Sequence, residues 1–365
     1  MKTIMVVFGT RPEAIKMCPL VLELKRRNKY KIIVCVTGQH KEMLQSVLDI
    51  FHVVPDYNLN VMKEKQNLFD ITDRILMEME VVLNECKPDL VLVHGDTSTS
   101  FATALSCYYK QIDVGHVEAG LRTNDIYSPY PEEFNRQAVG IIARYHFAPT
   151  ELAKGNLLQE GKKEEFVFVT GNTVIDALRT TVRNNYTHKE LEWVGNSKLI
   201  LVTAHRRENI GDPMRSIFKA IRKICEEFQN IKIIYPIHMN PAVRSIAQEV
   251  FGQDDHIHII EPLDVLDFHN FMSRSYIILT DSGGIQEEAP ALGKPVLVMR
   301  NTTERPEGIS AGTLKLVGTE EESIYNNFRR LLLEHEEYLK MSQANNPYGD
   351  GHASEKIADI LENIL

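Results

Sequence analysis

No apolar run in this 365-residue chain approaches the roughly 18 to 20 residues needed to span a bilayer. The opening stretch, Met1 to Phe8, is a short apolar strand without a signal-peptide cleavage pattern, so a cytosolic protein is expected. Cysteine is sparse. Cys18, Cys35, Cys86, Cys107 and Cys225 are scattered, with neither the close spacing of a zinc site nor the density of a disulfide scaffold, and they read as small buried hydrophobes. Positive charge is in deficit too. A formal net charge of -9 excludes broad, sequence-independent binding to nucleic acid, which needs a basic face to displace counterions. An anionic ligand would therefore need a local cationic pocket. The first strand is not followed by the G-x-G-x-x-G fingerprint, so no nicotinamide cofactor is expected. His and acidic residues fall on different loops rather than at ligand spacing, so no metal is expected either. There is no short repeat and no low-complexity tract. What remains, 43% hydrophobic and 25% charged residues, suits an ordinary globular protein of roughly two domains.

The segment Thr3 to Phe8 is an uninterrupted apolar run followed by Gly9-Thr10-Arg11-Pro12, the pattern of a buried parallel strand feeding a helix. Pro12 suits a first helical turn, and Pro19 is expected to kink or restart that helix. Apolar strands recur at 32–37, 90–94, 114–117, 145–148 and 167–170, with helical patterns such as Leu68 to Glu85 and Thr99 to Lys110 between them. After a polar stretch the pattern begins again, at 199–203, 231–235, 257–260, 276–280 and 296–298. Such alternation predicts an α/β protein of two Rossmann-like, doubly wound domains. The expected bounds are 1–183, joined by the C-terminal helix 354–365, then a linker at 184–198, then 199–353. The cleft hinged by that linker is the expected ligand site.

In open α/β sheets ligands bind beyond the carboxyl ends of strands. The first such loop offers Gly9, Arg11, Glu13 and Lys16, where a helix N-terminus and two cations could meet an anion; it reads equally as a tight turn before a solvated helix. His94-Gly95-Asp96-Thr97-Ser98 places a carboxylate at a strand end, although Asp96 could simply cap the next helix. Gly115 to Arg122 adds Glu118. Pro131 to Arg136 adds Glu132 and Glu133, which also fit as acids favoured at a helix start. In the second half, Thr203 to Asn209 brings His205, Arg206 and Arg207 together, a cationic knot suited to a diphosphate or else a surface ion-pair cluster. The sharpest signal is Asp281-Ser282-Gly283-Gly284-Ile285-Gln286-Glu287-Glu288. Two glycines at a strand-to-helix turn allow close approach of backbone to phosphate, and Glu288 one turn later could bind ribose hydroxyls; a ligand-free glycine turn is the bland alternative.

Four of these motifs resemble the non-hydrolysing UDP-N-acetylglucosamine 2-epimerases of the bacterial type: Gly9-Thr10-Arg11-Pro12-Glu13, His94-Gly95-Asp96-Thr97, His116 to Arg122, and Asp281 to Glu288. With His205 to Asn209 and Thr303 to Glu307 they stand in family order across essentially the whole chain. The resemblance implies a GT-B-like fold and reversible epimerisation at carbon 2 of UDP-N-acetylglucosamine, giving UDP-N-acetylmannosamine for cell-surface polysaccharide. It implies Asp96, Glu118, Glu132 and His205 as catalytic residues. Arg11, Lys16, Phe268, Ser282, Gly283, Gly284, Glu288 and Arg305 would hold substrate, with Leu263 standing where some members have glutamine. It further implies a homodimer and a second UDP-N-acetylglucosamine as activator at Gln39, His40, Arg206 and His238. Glu42 and Lys65 occupy positions where activated relatives carry glutamine and arginine, and lysine lacks the bidentate fork.

Carbon 2 has no adjacent carbonyl, so its proton leaves only with help from departure of UDP at carbon 1. That chemistry needs carboxylates around the ring and cations around the diphosphate. Asp96 is the expected base, Glu118 and Glu132 return a proton or support it, and His205 serves the departing phosphate. A hydrolysing epimerase, a GT-B glycosyltransferase and a non-catalytic nucleotide-sugar sensor are the competing readings. Three acids and a lysine in the first domain weigh against the transferase, and the sensor needs no converging acids.

Overall fold

The computed structural model describes residues 1–38, 41–63 and 66–365, without the side chains of Lys41 and Glu42. It divides into two units, Met1–Thr180 with Tyr348–Leu365, and Thr181–Pro347.

The first unit is built on β1 (Thr3–Phe8), β2 (Lys31–Val36), β3 (Tyr57–Asn58), β4 (Leu90–His94), β5 (Asp113–Val117), β6 (Tyr145–Ala148) and β7 (Val167–Val169). These form one sheet in the order β3-β2-β1-β4-β5-β6-β7, every pairing parallel. Ile4 to Phe8 and Leu90 to Val93 are fully buried, as strands covered by helices on both faces must be, hence their unbroken apolar runs. The order reverses between β1 and β4. The loops leaving those neighbours therefore diverge to opposite faces and open a crevice at the sheet's carboxyl edge.

The second unit repeats the plan with β8 (Lys198–Thr203), β9 (Ile231–Pro236), β10 (Ile257–Ile260), β11 (Ile277–Thr280), β12 (Val296–Val298) and β13 (Leu314–Leu316), ordered β10-β9-β8-β11-β12-β13 and again wholly parallel. Its reversal lies between β8 and β11, so His205 to Asn209 and Asp281 to Gly284 are the loops at its crevice. Both units are doubly wound and Rossmann-like. No helix among the described residues is long and apolar enough to cross a membrane.

Three details differ from the sequence reading. Pro19 does not restart the first helix, which runs through it as Arg11–Arg27; Pro19 is buried against the rest of the unit, and tertiary packing outweighs one lost backbone bond. The polar stretch 184–198 is not a linker but part of the second unit. There the N–H of Arg183 donates to Asn270 Oδ1 at 2.9 Å, Arg274 donates to the carbonyls of Arg183 and Asn184, and Trp193 in the helix Lys189–Val194 stacks on His258. The stretch is tied to the unit at its start and through Trp193, while Asn184, Asn185 and Asn196 stay exposed. The chain instead passes between units at Thr180–Thr181 and returns at Pro347–Tyr348, ahead of residue 354. The Tyr348 carbonyl accepts from the N–H of Asn172 at 2.7 Å, and Asp176 takes the N–H groups of Ala353 and Ser354 that open the helix Ala353–Ile364. That helix lies against Arg11–Arg27, with Tyr30 donating to the Leu361 carbonyl at 3.0 Å.

Candidate active site

At the first crevice, Thr10 caps the helix Arg11–Arg27 in a reciprocal box with Glu13. Glu13 does more than cap. Its buried carboxylate accepts from the N–H of Gly9 at 2.9 Å and of Thr10 at 2.8 Å, and from the Thr97 hydroxyl at 2.6 Å and Ser100 at 3.3 Å. One side chain thus ties the loop after β1 to the loop after β4. A β-carbon on Gly9 would stand 1.9 Å from Thr37 Oγ1 and 2.5 Å from Thr99 Oγ1, so only glycine admits this approach. Thr97, not Asp96, caps the helix Ser98–Tyr109, which leaves the Asp96 carboxylate at the crevice. It accepts from Arg136 Nη2 at 2.5 Å, while Asn135 donates to the Asp96 carbonyl at 2.9 Å.

Glu118, immediately after β5, has a backbone φ of 61°, a left-handed conformation that a glutamate adopts only when its surroundings impose it. The surroundings are a cage of donors on one oxygen. Oε2 receives the Lys16 ammonium and Asn172 Nδ2 at 2.9 Å, and lies 3.5 Å from His94 Nε2. The side chains of Glu118, Lys16 and His94 are 10%, 13% and 5% exposed. Burial alone would raise the Glu118 carboxyl, but Lys16 and His94 beside it outweigh burial and hold it well below the usual carboxylate range. It is a fixed anion. Gly120, two residues on, also has positive φ, and a β-carbon there would stand 2.3 Å from the Ala153 carbonyl oxygen.

Of the two acids that open the helix Glu132–Ile142, the structure separates the roles. Glu133 is buried and accepts from the N–H groups of Thr123 and Asn124 and from Gln137, fastening the preceding loop. Glu132 is half-buried, and its carboxylate makes no hydrogen bond or ion pair among the described residues. Arg11 occupies the first position of its helix, five residues before Lys16.

The second crevice is organised by Asp281, fully buried at the end of β11. Its Oδ2 accepts from the N–H groups of His205 and Arg206, both at 2.9 Å, and from Asn209 Nδ2 at 3.2 Å. The imidazoles of His205 and His238 stack at 5.3 Å and 11°. Burial, ahead of the opposing pull of Asp281, lowers the His205 pKa. Ser282 turns its N–H onto Thr280 Oγ1 at 2.9 Å, and the amides of Gly283 and Gly284 make no hydrogen bond among the described residues. Glu288 lies 3.3 Å from His269 Nε2, on the helix Val265–Arg274 that also carries the half-buried Phe268. Arg305 is ion-paired with the buried Glu287.

The expected residues therefore fall into two groups. Arg11, Lys16, Asp96, Glu118 and Glu132 belong to the first unit; His205, Arg206, His238, Phe268, Ser282, Gly283, Gly284, Glu288 and Arg305 belong to the second. Gln39, His40, Lys65 and the Glu42 side chain, expected at an activator site, lie outside the described residues. Sequence reasoning missed the supporting set. Glu13, His94 and Asp281 stood inside quoted motifs without a role, and Asn172, beyond the end of β7, carried only the signal of its position after a strand.

Comparison with known proteins identifies the family. A family model described as UDP-N-acetylglucosamine 2-epimerase matches residues 22–362. The UDP-N-acetylglucosamine 2-epimerase of Bacillus subtilis (strain 168) is 60% identical over 358 residues, covering 98% of this chain and 94% of that protein. Among solved structures, S. aureus MnaA in complex with UDP superposes with a TM-score of 0.92 at 52% identity, covering 100% of this chain and 97% of the other. UDP-GlcNAc 2-epimerase from Neisseria meningitidis bound to UDP-GlcNAc does so with a TM-score of 0.90 at 48% identity, covering 99% and 100%. The motifs, the two doubly wound units and these likenesses, which extend over nearly the full length, agree: the chain belongs to the UDP-N-acetylglucosamine 2-epimerase family.

Proposed function

We propose that this chain is a UDP-N-acetylglucosamine 2-epimerase of the non-hydrolysing kind, interconverting UDP-N-acetylglucosamine and UDP-N-acetylmannosamine without a cofactor. The observation that carries the mechanism is the caged, ionised Glu118 of the first unit; the first unit also supplies Asp96, and the second supplies His205, Arg206 and the Gly283–Gly284 turn. The names and bound ligands of the relatives support the substrate.

In this reading the bond between carbon 1 and the diphosphate oxygen breaks as Asp96 takes the proton from carbon 2. The electron pair of that C–H bond forms the double bond of a 2-acetamidoglucal, and UDP departs with the electrons of the C–O bond. Glu118 offers a fixed anion to the positive charge that develops at carbon 1. Glu132, without a partner among the described residues, returns a proton to the opposite face of carbon 2, and the retained UDP re-forms the bond to carbon 1. His205 and Arg206 meet the charge on the departing diphosphate. Retention of UDP separates this reading from hydrolysis. The product would serve as a donor for cell-surface polysaccharide.

Proton NMR of UDP-N-acetylglucosamine incubated with the protein in D₂O tests the proposal. A mixture of the two UDP-sugars with deuterium at carbon 2 is expected; free N-acetylmannosamine with UDP would replace the reading by a hydrolysing one. Recovery of unchanged, undeuterated substrate would leave a transferase or a sensor.

The proposal includes a homodimer. In the first unit Phe69, Tyr127, Tyr130, Phe134 and Ile141 are exposed on or beside the helices Leu68–Cys86 and Glu132–Ile142, apolar side chains that a second copy of the chain would cover. Light scattering should give about twice the 41.7 kDa of one chain, and Phe134→Glu should shift that mass toward one chain. A single-chain mass for the unaltered protein would refute the dimer.

A further inference from the structure

We infer that Asp281 is a positioning residue for His205, one carboxylate oxygen fastening the loop and the other holding the imidazole with a proton on Nδ1, so that Nε2 is the nitrogen left for the departing phosphate. The inference rests on the reading of His205 as a residue of the reaction.

The two oxygens of Asp281 are used unequally. Oδ2 takes three donors from the loop after β8, the N–H groups of His205 and Arg206 and the Asn209 amide. The Asp281 carbonyl takes Arg206 Nε at 3.1 Å, and its own N–H reaches the Thr203 carbonyl at 3.2 Å. Oδ1 is equally buried and has no hydrogen bond among the described residues. A buried, unsatisfied carboxylate oxygen is costly enough to need a reason. Its facing group is His205 Nδ1, 3.6 Å away on an imidazole that is 40% exposed. That gap is a few tenths of an ångström beyond a hydrogen bond, a distance that catalytic pairs close once substrate is bound.

A carboxylate only accepts, so the shared proton belongs on Nδ1. The remaining groups around the ring do not compete for that position. His238 stacks face to face on His205 and its own Nδ1 accepts the N–H of Asn240 at 3.1 Å. Arg206 is directed to the Asp281 carbonyl and lies 3.9 Å from Glu304. The same anion would stabilise the imidazolium form of His205, the form that can donate from Nε2 to a phosphate oxygen.

The test combines ¹⁵N NMR of histidine-labelled protein, with His205 assigned by the signal lost in His205→Asn, and kinetics of Asp281→Asn. Asparagine keeps an oxygen for the loop amides but turns an NH₂ toward Nδ1. The unaltered protein should show His205 protonated at Nδ1. Asp281→Asn should move the proton of the neutral ring to Nε2 and, by removing the anion that stabilises the more acidic imidazolium donor, lower kcat about 100-fold with little change in KM. A neutral Nε2–H tautomer in the unaltered protein, or a kcat within about threefold in a folded Asp281→Asn that has changed tautomer, would overturn the inference. If Asp281→Asn does not fold, the spectrum of the unaltered protein still decides. An unaltered protein that converts no UDP-sugar would refute the proposed function instead, whatever the tautomer.

Discussion

Glu118→Gln is expected to lower kcat by about 100- to 1000-fold, the range for removing one preorganised charge from a transition state. It should leave KM less affected, because the groups assigned to the diphosphate belong to the second unit. The same change removes the anion from the Lys16 ammonium and from His94, whose side chains are nearly buried. Taking one partner from a buried pair costs about 3–5 kcal/mol, so the melting temperature should fall as well. The two effects can be separated. In Lys16→Met/Glu118→Gln no ammonium is left uncompensated, so stability should recover in part while activity stays lost. Full activity in Glu118→Gln would refute the fixed-anion role, and unchanged stability would refute the cage.

Acidification from pH 7.5 to 5.0 should cost the native state about 4 kcal/mol through two histidines on adjacent strands. His116 and His146 pair in register between β5 and β6, and both are buried. His116 donates from Nε2 to the Gly95 carbonyl at 2.7 Å, and Nδ1 of each ring has no hydrogen-bond partner among the described residues. Burial lowers His116 from 6.5 to about 3 and His146 to about 4. Both folded values are depressed, so below about pH 6.5 the unfolded chain binds two protons that the native protein refuses. Stability is complete above that pH and declines as pH falls, by about 2 kcal/mol per histidine at pH 5. Glu118, shifted below the ordinary glutamate value of 4.5, keeps its contribution throughout this window. Urea unfolding at several pH values should give a slope near two protons, reduced to near one in His146→Gln. A flat profile from pH 7 to 5 would show that the imidazoles reach solvent or a charged partner.

The central strands were legible because burial on both faces leaves a continuous apolar run, as in Ile4 to Phe8 and Leu90 to Val93. The edge strands β3 and β13 were not. Two or three residues long, each paired on one side only, they leave too little pattern to read. The passage between units was misplaced for a related reason. A polar stretch such as 184–198 resembles a linker whether it is wholly solvated or, as here, is tied by Arg274 to the Asn184 and Tyr186 carbonyls and packed through Trp193 on His258.

By itself the sequence determined the alternation of strand and helix, the strand ends that carry charge, and the family, because these depend on local order and residue type. Only the tertiary structure decided which of those residues act together. It set Glu118 as an anion by bringing Lys16, His94 and Asn172, from a helix, a strand end and a loop far apart in the chain, around one oxygen. It assigned Glu133 to the loop and left Glu132 at liberty among the described residues, though the two are neighbours in sequence. It made Asp281 the anchor of a loop 72 to 76 residues earlier in the chain. Charge state and hydrogen-bond partnership depend on neighbours in space and on the water they exclude, and those neighbours are set by the closing of parallel sheets over long crossovers.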